Sequence, residues 1–330
     1  MGDKLHLKIA IAEHPHTAAI RDGSIEIEGV DAEFVTVKPQ IGAFRRMVRE
    51  LEFDVCEIAP TTYIIARAYG KKFKALPIFV VRRFHHSGLL VRPDAGIVSP
   101  KDLEGKPCGV RAYSVTTGVW TRQVLIDEFG VDNNKIIWWV DDEEHVQELQ
   151  LPANVRHVAA GDSLADMMAR GDIIAGFDAA AGIGRTGAPT GGWQEVEANY
   201  PDLFPNAAEL EADYYARTNV YPMHGTIVVK DAVLEQHPWV ARSLNDAFTR
   251  AKDDWVAKLN AGEATGAGAD KYRALQAIVG PDPLPYGIEA NRATIEALEK
   301  TAFDQGLTPR RMTMDELFVD PETAPAFQPA

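Results

Sequence analysis

Histidines are the residues of this chain whose chemistry stands out, because five of the nine fall in loops predicted between or after strands. Imidazole titrates near neutral pH, so a histidine in such a loop can donate or accept a proton. In open α/β sheets, ligands bind beyond the carboxyl ends of the strands. We therefore expect a ligand site that draws on His16, His86 and His224, whereas His14 and His85 are expected to support these residues from behind or to be exposed. The other four are predicted to lie at the surface: His6, His145, His157 and His237.

The run His14-Pro15-His16 has the spacing of a metal-binding pair, and Glu57 could supply a further ligand. No HExxH motif and no second pair of this kind follows, and the proline already accounts for a fixed turn. We therefore predict no metal site. The two cysteines, Cys56 and Cys108, form no CxxC motif, and we predict that both are buried and reduced.

Two predicted helix starts offer hydroxyl groups and backbone N–H groups to a carboxylate. Thr61 belongs to the first, which follows a short apolar strand that ends near Glu57. The second helix start carries Tyr113, Ser114, Thr116 and Thr117. We predict that these residues contact a substrate, although any one of the hydroxyl groups could serve only as a helix cap.

Composition narrows the class of protein. The chain has 330 residues, 34 basic and 48 acidic side chains, and a net charge of −14. This acidic excess argues against a nucleic-acid partner, which needs a basic face. No apolar run is long enough to span a membrane. The N-terminal residues enter a strand pattern at once, without a signal-peptide pattern, so we predict a cytoplasmic protein.

Strand and helix patterns alternate along the chain, which predicts mainly parallel sheets covered by helices. The predicted strands are 5–12, 54–59, 76–81, 88–92, 135–140, 173–177 and 221–229, and the predicted helices are 41–51, 60–69, 115–129, 163–170 and 239–259. Residues 260–270, rich in glycine and alanine, are predicted as a surface loop. The Gly-rich run 181–192 lacks the strand–turn–helix setting of a dinucleotide site, so no nucleotide is expected.

Three motifs carry a family resemblance. They are Phe53-Asp-Val-x-Glu57 with Tyr63, Arg82-x-Phe84-x-His86-Ser87-Gly88, and Tyr113-x-x-Thr116-x-Gly118-Val-Trp120-x-Arg122. These motifs resemble those of the 4,5-dihydroxyphthalate decarboxylase family, cytoplasmic enzymes on a type II periplasmic-binding-protein scaffold. The resemblance covers residues 5 to 320 and implies two α/β lobes with a cleft between them. Lobe 1 would contain residues 1–92 and 216–330, and lobe 2 residues 93–215.

The resemblance implies a cofactor-independent decarboxylase of a hydroxylated, phthalate-like acid. In that reaction the ring carbon that loses its carboxylate must gain a proton, and a para hydroxyl group supplies electron density. The implied catalytic residues are His86, His16 or His224, and Glu57, and Arg82 would hold a carboxylate. His16 and His85 stand where the family has arginine, which binds carboxylates as a charged planar fork, so the substrate stays open.

Two other functions remain open at this point. One is a non-catalytic solute-binding protein of an ABC transporter for a small carboxylate. The other is an enzyme of the same scaffold that acts on a different small molecule. In each case we expect a small-molecule partner, foremost an aromatic carboxylate, without nucleic acid or membrane, and the sequence leaves a homo-oligomer open.

Overall fold

The structure is a computed structural model and describes residues 4–187 and 194–329. Its strands are β1 (Leu5–Ala10), β2 (Val30–Phe34), β3 (Val55–Ile58), β4 (Phe73–Arg82), β5 (Leu89–Val91), β6 (Pro107–Gly109), β7 (Ile137–Val140), β8 (Val155–His157), β9 (Ala175–Phe177), β10 (Arg185–Thr186), β11 (Gln194–Glu195) and β12 (Met223–Lys230).

The α-helices are α1 (Ala18–Arg21), α2 (Ile41–Glu50), α3 (Pro60–Ala68), α4 (Thr116–Phe129), α5 (Leu164–Arg170), α6 (Ala207–Thr218), α7 (Asp231–Gln236), α8 (Val240–Asn260), α9 (Ala267–Val279), α10 (Ile288–Asp304) and α11 (Met314–Leu317). Short 3₁₀ turns occupy Pro15–Thr17, Pro100–Leu103, Asn133–Lys135 and Ala179–Ala181.

Unit 1 contains the chain up to Arg83, Thr218–Ala297 and the chain from Arg310 onwards. Its sheet has the strand order β2-β1-β3-β12-β4. Strand β1 pairs in parallel with β2 and β3, whereas β12 pairs antiparallel with β3 and β4. Helix α8 buries an apolar face, which includes Leu244 and Phe248, in the core of this sheet. The sheet therefore brings the ends of β1, β3 and β4 to one edge, together with the start of β12.

Unit 2 contains Phe84–Arg217 and Leu298–Pro309. Its main sheet has the strand order β5-β9-β6-β7-β8, in which β5 is antiparallel to β9 and the other pairings are parallel. Helix α5 begins after Ser163, whose hydroxyl accepts a hydrogen bond from the Asp166 backbone N–H at 3.1 Å. Leu164 and Met168 of this helix pack with Ile173 in a buried cluster.

The predicted two-lobed α/β class is confirmed, but the sheets are more mixed than the sequence patterns predict. In unit 1 the antiparallel strand β12 separates β3 from β4 because it comes from the returning segment of the chain. The segment 260–270 is shorter as a loop than predicted, since α9 already begins at Ala267. The Gly-rich run 181–192 lies partly outside the described residues.

Two segments belong to the unit opposite to the one predicted. The sequence pattern assigns residues 84–92 to lobe 1, but β5 pairs with β9 of unit 2. Residues 298–309 also belong to unit 2, where the Gln305 side chain accepts from Arg122 Nε at 2.8 Å and donates to the Val119 carbonyl at 2.9 Å. Strand pairing and side-chain hydrogen bonds thus move both boundaries.

Both cysteines are buried and free, as predicted. His145 is also buried, so its predicted surface position is wrong. No helix in residues 4–187 and 194–329 combines the length and the apolar composition that crossing a bilayer requires.

Candidate active site

Glu57 and His14 form a hydrogen-bonded dyad at the edge of the unit 1 sheet. Glu57 lies on β3 and is 4% exposed, and its Oε2 accepts a hydrogen bond from the Ala12 backbone N–H at 2.8 Å. His14 Nε2 donates to the same oxygen at 2.9 Å, since an ionised carboxylate can only accept. A fixed carboxylate therefore holds the imidazole in one orientation, which is the arrangement of a general acid–base histidine.

Gly225 on β12 provides the space that Glu57 occupies. A Cβ atom at this position would lie 3.1 Å from Glu57 Oε1 and from a methyl group of Val81. Those distances are tighter than ordinary van der Waals contact, so a larger residue would displace the carboxylate. The absence of a side chain at Gly225 is thus part of how β12 positions the dyad.

His16 lies behind His14 in an aromatic setting. The two imidazole rings stack with centroids 5.2 Å apart, and the His16 ring lies 5.7 Å from Trp255 and 5.9 Å from Tyr272. Burial, followed by the neighbouring His14, lowers the pKa of His16 to about 3. The ring is neutral at neutral pH, which disfavours its predicted role as a proton donor. His16 instead contributes to an aromatic wall beside the dyad.

His224 contacts an arginine on the neighbouring strand end. Arg83 Nη2 lies 3.2 Å from His224 Nε2. Because a guanidinium only donates, this contact makes His224 Nε2 an acceptor and places the imidazole proton on Nδ1. His224 is therefore a neutral imidazole in this arrangement.

Arg82 and Arg83 have different surroundings. The Arg82 guanidinium is fully buried, donates to the Asn291 side chain and the Tyr221 carbonyl, and lies 4.3 Å from the Tyr221 ring centroid. Arg83 is only half-buried. Arg82 is thus engaged with the protein itself, which disfavours its predicted role of holding a substrate carboxylate.

Helix α9 adds residues that the sequence patterns did not indicate. Tyr272 packs edge-on against His16, and Lys271 places its ammonium 5.1 Å from the Tyr272 ring centroid. The Gly/Ala composition of residues 260–270 indicates a loop, so the sequence patterns did not predict that a helix begins at Ala267. A helical spacing from Tyr272 to Leu275 was the signal that could have found it.

In unit 2, His86 lies in an aromatic pocket of its own. Its ring is edge-on to Tyr214 at 5.3 Å and to Phe204 at 6.5 Å. Burial, followed by the charge of Arg217, lowers the pKa of His86 to about 4. The backbone N–H of His86 donates to Glu211, a carboxyl group whose pKa burial raises to about 7. His86 is thus also neutral at neutral pH, which disfavours it as a proton donor.

The start of α4 binds a carboxylate, but one that belongs to the protein. The Tyr113 backbone N–H donates to Glu144 Oε1 at 2.7 Å, and the Ser114 N–H and hydroxyl group also donate to Glu144. Burial raises the pKa of this carboxyl group, although these hydrogen bonds act to lower it. The predicted anion site at the α4 start is therefore occupied by Glu144 in this structure.

The predicted residues thus fall into two groups. Unit 1 holds Glu57, His16, His224 and Arg82, with Thr61 buried in the first turn of α3. Unit 2 holds His85, His86, Tyr113, Ser114, Thr116 and Thr117, all of them buried. Within the described ranges, no three histidine, cysteine or carboxylate side chains are grouped as metal ligands.

A cavity of about 650 Å³ in unit 2 is separate from both groups. None of the predicted site residues lines it. Its lining is acidic, with Asp141, Asp142, Glu143, Asp162 and Asp166. Arginine side chains pair with Asp141, Asp142 and Asp162, so the acidic charge is partly balanced, but no arginine or lysine is among the described lining residues to hold a carboxylate.

The fold class agrees with known protein structures. A model of the family described as "ABC transporter, phosphonate, periplasmic substrate-binding protein" matches residues 24–254. The periplasmic aliphatic sulphonate binding protein from Escherichia coli is 11% identical with a TM-score of 0.54, and the match covers 99% of this chain and 94% of that protein. A desulfurization enzyme in complex with biphenyl-2-sulfinic acid is 13% identical with a TM-score of 0.52, covering 96% of this chain and 97% of that one. The scaffold is that of the periplasmic substrate-binding proteins, and it also carries an enzyme.

Relatives at higher sequence identity narrow the family. The 4,5-dihydroxyphthalate decarboxylase of Comamonas testosteroni is 31% identical over 327 residues, which is 96% of each chain. The 4,5-dihydroxyphthalate decarboxylase of Pseudomonas putida is 32% identical over 181 residues, 52% of this chain and 70% of that protein. The chain belongs to the 4,5-dihydroxyphthalate decarboxylase family, as its three motifs predict.

Proposed function

We propose that this chain is a cofactor-independent decarboxylase of a hydroxylated aromatic dicarboxylic acid, with 4,5-dihydroxyphthalate as the first substrate to test. The two relatives that carry this name support the substrate class. The observation that carries the chemistry is the His14–Glu57 dyad, with a 2.9 Å hydrogen bond next to an aromatic wall. The aromatic wall suits a planar aromatic acid, and the dyad would transfer the proton.

The reaction needs one proton and releases one molecule of CO2. In the proposed mechanism, protonated His14 gives its proton to the ring carbon that bears the departing carboxylate, and Glu57 stabilises the imidazolium before the transfer. The bond from this carbon to the carboxylate then breaks, its electron pair restores the aromatic ring, and CO2 leaves. Solvent returns a proton to His14. The para hydroxyl group of the substrate supplies electron density for the first step.

Turnover on a small panel of acids tests this function. The purified chain would be incubated with 4,5-dihydroxyphthalate, monohydroxyphthalates and hydroxybenzoates, and CO2 release would be measured. We expect release from a hydroxyphthalate, and a loss of release in the His14→Gln variant. Tight binding across the panel without any release would contradict the decarboxylase function.

A non-catalytic solute-binding protein for a small carboxylate is the second candidate. The family model described as a periplasmic substrate-binding protein favours it. The same panel separates the two, because a receptor binds an acid and returns it unchanged. Binding by calorimetry with recovery of intact ligand is the result that would favour this candidate.

We also propose that the protein acts in the cytoplasm, where a catabolic decarboxylase meets its substrate after uptake. Buried, reduced cysteines are compatible with a reducing compartment. Fractionation of cells that produce the protein from its own gene tests this location. Recovery in the periplasmic fraction would contradict it and would favour the solute-binding candidate.

A further inference from the structure

His14 and His16 lie in a short turn whose backbone is fixed at several points. Pro15, between the two histidines, begins a 3₁₀ turn, and the Thr17 backbone N–H donates to the His14 carbonyl at 3.0 Å. Helix α9 packs on this turn, since a Cβ atom at Gly268 would lie 3.3 Å from the Pro15 ring. The turn thus holds the two imidazole rings in a stack, with centroids 5.2 Å apart and planes inclined by 16°.

The two rings have different surroundings, although they share one turn. The His14 side chain is 15% exposed and has the Glu57 carboxylate at 2.9 Å. His16 is buried, and its ring contacts the rings of Trp255 at 5.7 Å and Tyr272 at 5.9 Å, neither of which carries a negative charge at neutral pH. A carboxylate stabilises an imidazolium, whereas burial among uncharged aromatic rings disfavours one. The geometry therefore favours a proton on His14 and a neutral ring at His16.

The pair carries at most one positive charge near neutral pH, because two imidazolium rings at this distance would repel each other. The other charged groups that act on His16 are Lys252 and Lys271, and these two cations also disfavour a proton there. Burial, followed by His14, lowers the pKa of His16 to about 3, which agrees with a neutral ring. An aromatic ring within about 6 Å of a cation attracts it, so a neutral His16 stabilises the protonated His14 that the proposed reaction uses.

We propose that His16 is a positioning residue of this site: its neutral ring, stacked on His14, keeps the imidazole aligned with Glu57 and favours the protonated form of His14. The proposal rests on the proposed function, because it assigns a residue that acts through the proton donor of that reaction. This role needs an uncharged aromatic ring and not an imidazole nitrogen. The site should therefore tolerate another aromatic side chain at this position, but not an aliphatic one.

The first test is the location of the proton, which needs no turnover and uses the parent chain. The histidine ring nitrogens of the purified, isotope-labelled protein would be followed by NMR between pH 5 and pH 8. The His14→Gln and His16→Phe variants would assign the two signals. We expect acidification to protonate the His14 ring while His16 stays neutral. Protonation of His16 before His14 would overturn the proposal.

The kinetics of two substitutions at His16 give the second test. CO2 release would be measured across pH for His16→Phe, which keeps an aromatic ring, and for His16→Leu, which does not. We expect His16→Phe to keep kcat within about threefold, and His16→Leu to lower kcat by about tenfold with KM changed by less than about threefold, because misalignment slows the reaction without weakening binding. In His16→Leu alone, the alkaline limb of the kcat profile should move to lower pH by about half a unit, the size of one cation–π contact.

His237→Leu is the matched control, because it removes a unit 1 imidazole whose ring contacts Trp239 at 6.2 Å. It should leave kcat, KM and the alkaline limb unchanged, and the melting temperature of each variant checks its folding. An equal loss of kcat in His16→Phe and His16→Leu, or a parent-like kcat and alkaline limb in His16→Leu, would overturn the proposal. A parent chain with the expected proton location but no CO2 release from any hydroxyphthalate would overturn the decarboxylase function, whereas the wrong proton location overturns the role of His16 alone.

Discussion

Glu57 in unit 1 and Glu144 in unit 2 are two carboxylates that the fold uses in different ways. Glu57 accepts from a backbone N–H and from the His14 ring, the group that we propose as the proton donor to the substrate. Glu144 accepts from backbone N–H groups and a hydroxyl group at the start of α4, none of which titrates near neutral pH. The comparison teaches that a carboxylate next to an imidazole creates a proton-transfer group, whereas one on a helix start occupies an anion site.

The largest expected effect separates the histidines of the two units. His14→Gln should lower kcat by about 10³-fold, because it removes the general acid while keeping a hydrogen-bond donor for Glu57. His86→Gln should lower kcat by less than about tenfold, because the buried His86 ring is neutral and its backbone holds Glu211 in either variant. Steady-state CO2 release measures both variants, with the melting temperature as a check on folding. The reverse order would move proton transfer to unit 2.

The two carboxylates give the next comparison. Glu57→Gln should lower kcat by about 10²-fold, because a neutral amide cannot stabilise the His14 imidazolium. Glu144→Gln should change kcat by less than about threefold while it lowers the free energy of unfolding by about 1–2 kcal/mol, through weaker hydrogen bonds at the start of α4. Kinetics and urea denaturation would be measured for both. A larger kcat loss for Glu144→Gln would show that the α4 start takes part in the reaction.

The smallest expected effect is a pH dependence of stability. His16 and His86 have pKa values of about 3 and about 4 when folded, below the ordinary histidine value, so the unfolded chain binds more protons in mildly acidic solution. Their stabilising contribution is complete above about pH 6.5 and declines by about 1.4 kcal/mol per pH unit for each ring as the pH falls. Urea denaturation between pH 5 and pH 7 should show that His16→Leu and His86→Leu each flatten this decline. An unchanged slope in His16→Leu would contradict the buried neutral state of that ring.

The fold was largely predictable from the sequence because it depends on local patterns. The apolar run before Glu57, proline at the first turn of α3 and the helical spacing of α2 correspond to β3, α3 and α2. The antiparallel insertion of β12 could not be predicted from the sequence, because the pairing of Ile227 with Glu57 joins residues far apart in the chain. Periodicity identifies a strand but not its neighbours.

The candidate site was only partly predictable. Glu57 and the loop histidines follow from residue type and position, but the contact between His14 and Glu57 spans 43 residues of sequence and depends on strand pairing. Arg82 and Arg83 are adjacent, and strand geometry decides which one enters the core. Helix α9 was not predicted, because the Gly/Ala-rich composition of residues 260–270 indicates a loop. Burial also reversed the expected protonation of His16, which no spacing reveals.

The strand order of unit 1 has a consequence for protein synthesis. Among the strands in residues 4–187 and 194–329, β4 pairs within the sheet only with β12, which the ribosome produces about 140 residues later. A nascent chain that ends before Met223 already contains β1 and β3, whose direct pairing sets the register of His14 and Glu57, but it lacks β12, which carries His224 and joins β4 to the sheet. Arg83 and His224 therefore come into register with the dyad late in translation, when the C-terminal third of the chain emerges.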